Sequence, residues 1–275
     1  MTQMSIEGPA QDASGAQINA DLAAEETRHA RAATAPGEGT ATGHAGENHA
    51  GEGHAGGGRS WIHDVDPSTD PTELWERFYG EGEPWSGRAN PVLVGELAER
   101  PLGGGSGTAL DLGCGTGGDA IWLAGQGYQV DAVDISPTAL RRGEAAARAA
   151  GVDGRIRWAR HDLGADFPAG TWDLVTTSYL HSPVPLDREM ILRRAAAAVA
   201  AGGTLIIIGH LGFPSWMTEP PPHADLPSPE EILAGLDLDG WTVVHAGAVV
   251  VPSVPSPEGE PGSRTDSVVR LHRRT

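Results

Sequence analysis

A chain of 275 residues carrying 37 acidic and 19 basic side chains has a formal charge of −18. Such a surface repels a polyphosphate backbone and argues against nucleic-acid partners. Every basic residue is arginine, which excludes lysine chemistry such as Schiff bases or a phosphate-loop lysine. The single cysteine, Cys114, leaves no internal disulfide framework and fits a reducing cytoplasm. The opening stretch MTQMSIEGPAQDASG lacks the basic start and apolar core of a signal peptide. No run reaches the ~18 apolar residues of a membrane span. A cytoplasmic monomer without a membrane partner is expected.

In chain order, residues 1–59 are dominated by Ala, Gly, Glu, Thr and His, and are expected to form a disordered tail because they cannot bury enough surface to offset ordering entropy. Within them His-Ala-Gly recurs at His44, His49 and His54. The repeat reads as linker, with loose divalent-metal binding as the alternative. Residues 60–107 form a helical lid segment: DPTELWERFYGEG reads as a short capped helix and NPVLVGELAE as a second one opening on proline. From residue 108 to 275 strands are expected at 108–112, 128–133, 155–160, 172–178 and 203–209, with helices near 117–126, 137–150 and 187–200. That alternation means parallel βαβ units. The closing runs WTVVHAGAVVV and DSVVRLHRR have no helix between them and should pair antiparallel. The expected fold class is α/β: a Rossmann-like doubly wound sheet, mostly parallel, with an antiparallel C-terminal strand.

The stretch ALDLGCGTGGDAIWLAGQGYQVDAVDIS, residues 109–136, carries most of the chemistry. GCGTGG satisfies the dinucleotide fingerprint, so the motif alone permits an NAD-dependent oxidoreductase. Asp111 opposes that reading, because an aspartate at the strand's end repels a pyrophosphate seated over the following helix. It suits a cationic ligand. S-adenosylmethionine carries a sulfonium and an ammonium and has no phosphate. Gly113, Cys114, Gly115 and Gly117 then let the backbone approach the ligand closely. Asp134, ~20 residues on, is placed to accept from both ribose hydroxyls, with Ile135 beside it. Its alternative role is to cap the next helix, a task Ser136 fills better. Asp162 and Leu163, after the third strand, are candidates for the adenine edge.

Together ALDLGCGTGGDAIWLA, VDAVDIS, RHDL, WDLVTTSYLH and AAGGTLIIIGH resemble a class I S-adenosylmethionine-dependent methyltransferase over roughly residues 70–275. The antiparallel ending is also a hallmark of that family. LWERFYGEGEPWSGRANPVLVGELAE and the C-terminal run are similar to small-molecule methyltransferases of the tellurite-resistance and thiopurine type. The resemblance implies S-adenosylmethionine as cofactor and a leading segment folded over its methionine end. There Trp85 and Tyr79 either face the sulfonium or pack a lid, and Tyr179 lies beside the sulfonium. The loop at 211–227 fits no substrate-defining pattern. It holds three consecutive prolines, with Phe213, Trp216 and Met217 as apolar lining for a small acceptor.

Methyl transfer chiefly needs near-attack geometry. A thiolate or metalloid oxyanion needs no base, whereas a hydroxylated acceptor does. Candidate bases at the carboxyl edge of the sheet are His181, then His210, then His223. The expected partner is a small-molecule acceptor: a thiol, a metalloid oxyanion or a small hydroxylated compound. Two rival readings stay open at this point. One is the NAD-dependent oxidoreductase; the other is a metal-sequestering stress protein acting through its histidine-rich tail.

Overall fold

The computed structural model describes residues 65–81, 86–99, 107–217, 225–252, 254, 256 and 259–275. The tail at 1–59 with its histidine repeat, Trp85 and His223 lie outside the described residues. Helix α1 (Pro71–Gly80) begins where Asp70 accepts from the Glu73 N–H, with proline in its first turn. Helix α2 (Pro91–Glu99) is capped by Asn90 Oδ1, which accepts from the Val92 N–H at 2.9 Å. Both helices stand where the sequence places them.

The alternating part follows as β1 (Thr108–Leu112), α3 (Gly118–Gly125), β2 (Gln129–Asp134), α4 (Pro137–Ala150), β3 (Ile156–Arg160), β4 (Trp172–Ser178), α5 (Arg188–Ala197), β5 (Val199–His210), α6 (Pro229–Ala234), β6 (Trp241–Val251) and β7 (Arg264–Arg273). One seven-stranded sheet runs in the order β3-β2-β1-β4-β5-β7-β6. β7 is antiparallel to both its neighbours, β5 and β6, and all other pairings are parallel. The antiparallel pairing of the last two strands is therefore as expected, and β7 inserts between β5 and β6.

Two elements differ from the sequence expectation. β5 starts at Val199 rather than 203, because Val199 pairs with Trp172 ahead of a register shift. The chain turns at Gly202 (φ 76°), and a Cβ at Gly203 would lie 2.7 Å from Val199 Cγ1. The glycine pair thus makes an irregularity within the strand rather than a loop before it. Helix α6 was not anticipated. Ser228 and Glu231 form its reciprocal capping box, and the S-P-E-E spacing is its sequence signal.

Apolar side chains pack against both faces of the sheet. One cluster joins Leu93 of α2, Leu123 of α3, Val130, Ile206 and Val268. The other joins Leu110, Leu112, Val175, Leu192 of α5, Leu205 and Val269. Strand alternation thus sends Leu110 and Leu112 to the second cluster and turns Asp111 toward α3. Strand order reverses between β1 and its neighbours β2 and β4, which opens a crevice at their carboxyl ends. Ligands of doubly wound sheets bind at such a switch point.

Candidate active site

The turn from β1 into α3 is built from glycine because it is crowded. Gly113, Gly115 and Gly117 have φ of 70°, 54° and 80°, values that penalise any side chain. A Cβ at Gly117 would sit 2.2 Å from Trp158 Cη2, and one at Gly118 2.4 Å from the Arg88 carbonyl oxygen. The Gly113 and Cys114 N–H groups both donate to the Val133 carbonyl at 2.9 Å. Loss of solvent and the carboxylates of Asp134 and Asp111 push the Cys114 thiol well above its ordinary range, so it stays protonated.

Three carboxyl groups gather around this turn. Asp111, only 2% exposed, faces the start of α3, where the Ala120 N–H favours its ionised form. Its Oδ2 is buried and has no hydrogen-bond partner. Burial first, then the carboxylates of Asp119 and Asp134, raise its pKa well above the usual carboxylate range. Asp119 accepts from the Asn90 N–H at 2.6 Å and from the Ser178 hydroxyl at 2.6 Å. Burial also raises it, against those two hydrogen bonds. Asp134 Oδ2 accepts from the Gly115 N–H at 2.8 Å and Oδ1 from the Ser136 N–H at 2.9 Å. Burial raises its pKa too, opposed by the hydrogen bonds from Ser136 and Gly115. The helix cap at α4 is Ser136, whose Oγ accepts from the Ala139 N–H.

Around that centre the remaining candidates fall into two groups. Asp162 follows β3, one residue after His161, whose N–H donates to the Asp134 carbonyl at 3.0 Å. Asp162 Oδ1 accepts from the Gly164 N–H at 3.0 Å, while the Leu163 side chain turns into the second apolar cluster. Ile135 offers its carbonyl to Arg160 Nε at 3.2 Å. Tyr79 packs with Trp75, Phe78 and Ala139 of α4, which is the packing alternative for that residue. Glu76 ties the same helix down, accepting from the Ser136 hydroxyl, the Thr138 N–H and the Thr138 hydroxyl.

The second group sits at the ends of β4, β5 and β7. Tyr179 is the one non-glycine residue at positive φ (57°) among the described residues, a conformation that costs on the order of 1 kcal/mol. Its ring stacks on His210 at 4.2 Å, and the Arg264 guanidinium carbon lies 4.9 Å from its centroid. Its hydroxyl donates to Asp266 Oδ2 at 2.7 Å and accepts from Arg264 Nη2 at 2.6 Å. Asp266 is fully buried. Burial alone would raise its pKa, but hydrogen bonds from His210, Arg264 and Tyr179 hold it down to about 2. His210 Nδ1 lies 3.1 Å from Asp266 Oδ1; with the carboxylate ionised, that nitrogen carries the proton.

His181 is placed differently. Its Nε2 accepts the His210 backbone N–H at 3.0 Å, and the two rings stack at 5.1 Å. Burial, then His210 and Arg188, push its pKa down to about 3. It is neutral at physiological pH, and its Nε2 lone pair is already engaged. The adjoining Leu180 contacts the glycine turn, with Cδ1 3.0 Å from where a Gly113 Cβ would be. Beyond β5, Leu211 and Gly212 donate to the Thr265 carbonyl, and the Trp216 indole donates to the Val254 carbonyl at 3.0 Å.

Sequence reading missed Asp119, Asn90, Arg264 and Asp266. An acid in a helix's first turn ordinarily complements the helix dipole at the surface, which hid Asp119. Asp266 faces His210 only through strand register, which no linear spacing reveals. Among the described residues no three His, Cys, Asp or Glu side chains are placed to hold a metal ion. No described helix is long and apolar enough to cross a membrane.

Residues 109–203 match the family model of a methyltransferase domain. Ajmaline N-methyltransferase of Rauvolfia serpentina is 30% identical over 104 residues, covering 37% of this chain and 35% of that protein. Ribosomal RNA small subunit methyltransferase C of Chromohalobacter salexigens is 32% identical over 116 residues, covering 40% and 34%. The chain thus spans about a third of the length of these curated relatives. A solved structure concerned with conversion of a disulfide bond into a thioacetal group during echinomycin biosynthesis aligns with a TM-score of 0.58 at 26% identity, over 74% of this chain and 93% of that one. TehB from Haemophilus influenzae shares the fold, with a TM-score of 0.55 at 15% identity over 73% and 67% of the two chains. Residues 109–203 are thus similar to a methyltransferase domain, and the sheet that holds them is shared with these solved structures.

Proposed function

We propose that this chain transfers the methyl group of S-adenosylmethionine to a small-molecule acceptor. One observation carries the choice of cofactor: Asp111 buries an oxygen that no protein group satisfies, at the switch point of the sheet. Such an oxygen is costly unless a ligand donor or cation reaches it. A pyrophosphate there would meet three carboxyl groups, which disfavours NAD. A cationic ligand is attracted by the same three. A structural neighbour, coclaurine N-methyltransferase, was solved with S-adenosylhomocysteine, which supports the same reading.

When bound, S-adenosylmethionine supplies an electron-poor methyl carbon. The chain's own residues hold, orient and dry the reactants. Asp111 takes the ammonium, with Gly113, Cys114, Gly115 and Gly117 giving close backbone approach. Asp134 uses its remaining lone pairs for the ribose hydroxyls, next to Ile135. Asp162 and the Leu163 backbone meet the adenine edge, and Tyr179 flanks the methionine side. Of the two candidate bases among the described residues, His210 is the one with a free ring nitrogen to offer, because Asp266 fixes its proton on Nδ1. His181, neutral and already accepting from the His210 N–H, shapes the site. His210 therefore takes the proton from an acceptor that carries one, and a pre-ionised thiolate or oxyanion needs only positioning.

A small-molecule acceptor is favoured by the strongly acidic chain and by its likeness to an ajmaline N-methyltransferase, a probable tocopherol O-methyltransferase and a ubiquinone biosynthesis O-methyltransferase. The ribosomal RNA relative makes RNA the alternative to test. The purified chain, given methyl-labelled S-adenosylmethionine, is offered an aryl thiol, a catechol, a cyclic amine, tellurite and a ribosomal RNA fragment. Label is expected in a small molecule. For a catechol or amine, His210→Ala should slow transfer by about 10²–10⁴, and His181→Ala only several-fold. Label passing to RNA alone would overturn the small-molecule reading.

A further inference from the structure

The two edges of the sheet are built differently. The β3 edge is five residues long and carries Arg157 and Arg160, both exposed; short, charged edges resist pairing with another chain. The β6 edge is eleven residues long, WTVVHAGAVVV, and holds no Asp, Glu or Arg. Its one ionisable side chain, His245, is engaged by Glu96 of α2. Among the described residues, the large apolar side chains left exposed are Val243, Val244 and Val250, at 45%, 37% and 62%. All three lie on β6. Among those residues β7 is also the one strand that pairs with β6, so the outer row of main-chain N–H and C=O groups can take a further strand.

The register of β6 selects its own copy as that strand. Val243 pairs with Leu271 and His245 with Arg270, which leaves Val244 as the extra residue of a bulge. The bulge resets the alternation, so Val243, Ala246, Ala248 and Val250 share one face, opposite Leu271, Val269, Ser267 and Thr265 of β7. Small side chains hold the middle of that face and valines hold both ends. An antiparallel copy centred on Gly247 sets Ala246 opposite Ala248, and Val250 of each copy against the Val243–Val244 step of the other. The two-fold axis makes that valine contact twice and uses up both edges, which is the isologous geometry of a closed dimer. Charge favours the same strip. A chain of −18 repels its own copy over most of its surface, whereas the paired strands are uncharged. Asp237 and Asp239, just before β6, fall at opposite ends of the joined strands, away from their own copies. We propose that β6 is a dimerisation edge, at which two copies join antiparallel about Gly247 into one continuous sheet. The proposal is independent of the methyl-transfer reading, and it replaces the monomer expected from the sequence.

Sedimentation velocity of the full chain over a wide range of concentration should show a monomer–dimer equilibrium that stops at the dimer. Val250→Lys sets a charge into each valine contact and should raise the dissociation constant by about tenfold or more. The register is tested separately by mixing Ala246→Cys with Ala248→Cys under mild oxidation, with the wild type and its single Cys114 as the blank. Opposed Cα atoms lie ~4.5–5.5 Å apart, within reach of a disulfide. In either variant alone the two new cysteines are displaced by two residues, which puts them about 8 Å apart and out of reach. The mixture should therefore cross-link, and neither variant alone should. A monomer at every concentration would overturn the proposal, as would a dimer indifferent to Val250→Lys or association that grows beyond the dimer. Cross-links in the single variants but not in the mixture would overturn the register and the two-fold with it.

Discussion

Asp111 is an ionisable carboxyl buried at a cost to folding at neutral pH. In the folded chain its carboxyl holds a proton above the ordinary carboxylate range, whereas the unfolded chain releases it at ~3.9. The folded state therefore binds more protons, and stability falls as pH rises through that range. Asp111→Asn removes the buried charge and should raise the melting temperature of the ligand-free chain at pH 7, the two proteins converging near pH 4. The same variant should lose about 1.5–3 kcal/mol of S-adenosylhomocysteine binding. Calorimetric melts at both pH values, with and without ligand, check it.

Asp266 has the opposite sign. Held down to about 2 by His210, Arg264 and Tyr179, it contributes stability that is present above the unfolded value of ~3.9 and lost as pH falls toward about 2. Asp266→Asn strands the Arg264 charge and should destabilise by about 3–5 kcal/mol at pH 7. Acid titration of unfolding should be flatter in the variant between pH 4 and 2. Asp111 and Asp134 stand out in the sequence because Asp111 precedes the glycine turn and Asp134 ends the next apolar run. Asp266 does not, because its meaning comes from the strand it faces.

Between elements, Trp158 of β3 packs tightly against the glycine turn and α4. Its ring occupies the space a side chain would need at both Gly117 of the turn and Gly143 of α4. A Cβ at Gly143 would lie 2.5 Å from Trp158 Cζ3, so Gly143→Ala should cost about 1–3 kcal/mol by overpacking. In a Trp158→Leu background the same change should cost less, with a coupling of about 0.5–3 kcal/mol in a double-mutant cycle followed by urea denaturation. Additive effects would contradict the packing described. Apart from α6, helix and strand identities were readable from period and caps. The early start of β5 was not, since two glycines after a helix read as a loop until Trp172 supplies a pairing partner. Helix α6 was hidden among prolines, although its capping box was in plain view.

For the whole molecule, the sheet order puts both groups of site residues at one carboxyl edge, although they come from positions as far apart as Asn90 and Asp266. Alternating runs and a helix-free ending made the mostly parallel sheet and its antiparallel strand legible. The joining of His210 to Asp266 and of Asn90 to Asp119 depends on tertiary contact and left no trace in spacing. The histidine-rich residues 1–59 have almost no large apolar side chains, so deleting them should leave melting temperature and cofactor affinity unchanged. A loss of several degrees in a thermal scan would show that they belong to the fold.

On the function proposed above, the glycine turn and its three acids recognise a cationic nucleoside and reject a pyrophosphate. Isothermal titration of the full chain with S-adenosylhomocysteine and with NAD tests it most directly. The expected result is saturable one-site binding of S-adenosylhomocysteine, weakened by about 1–3 kcal/mol in Asp134→Ala, and no heat of binding with NAD. Saturable NAD binding with no uptake of S-adenosylhomocysteine would contradict it.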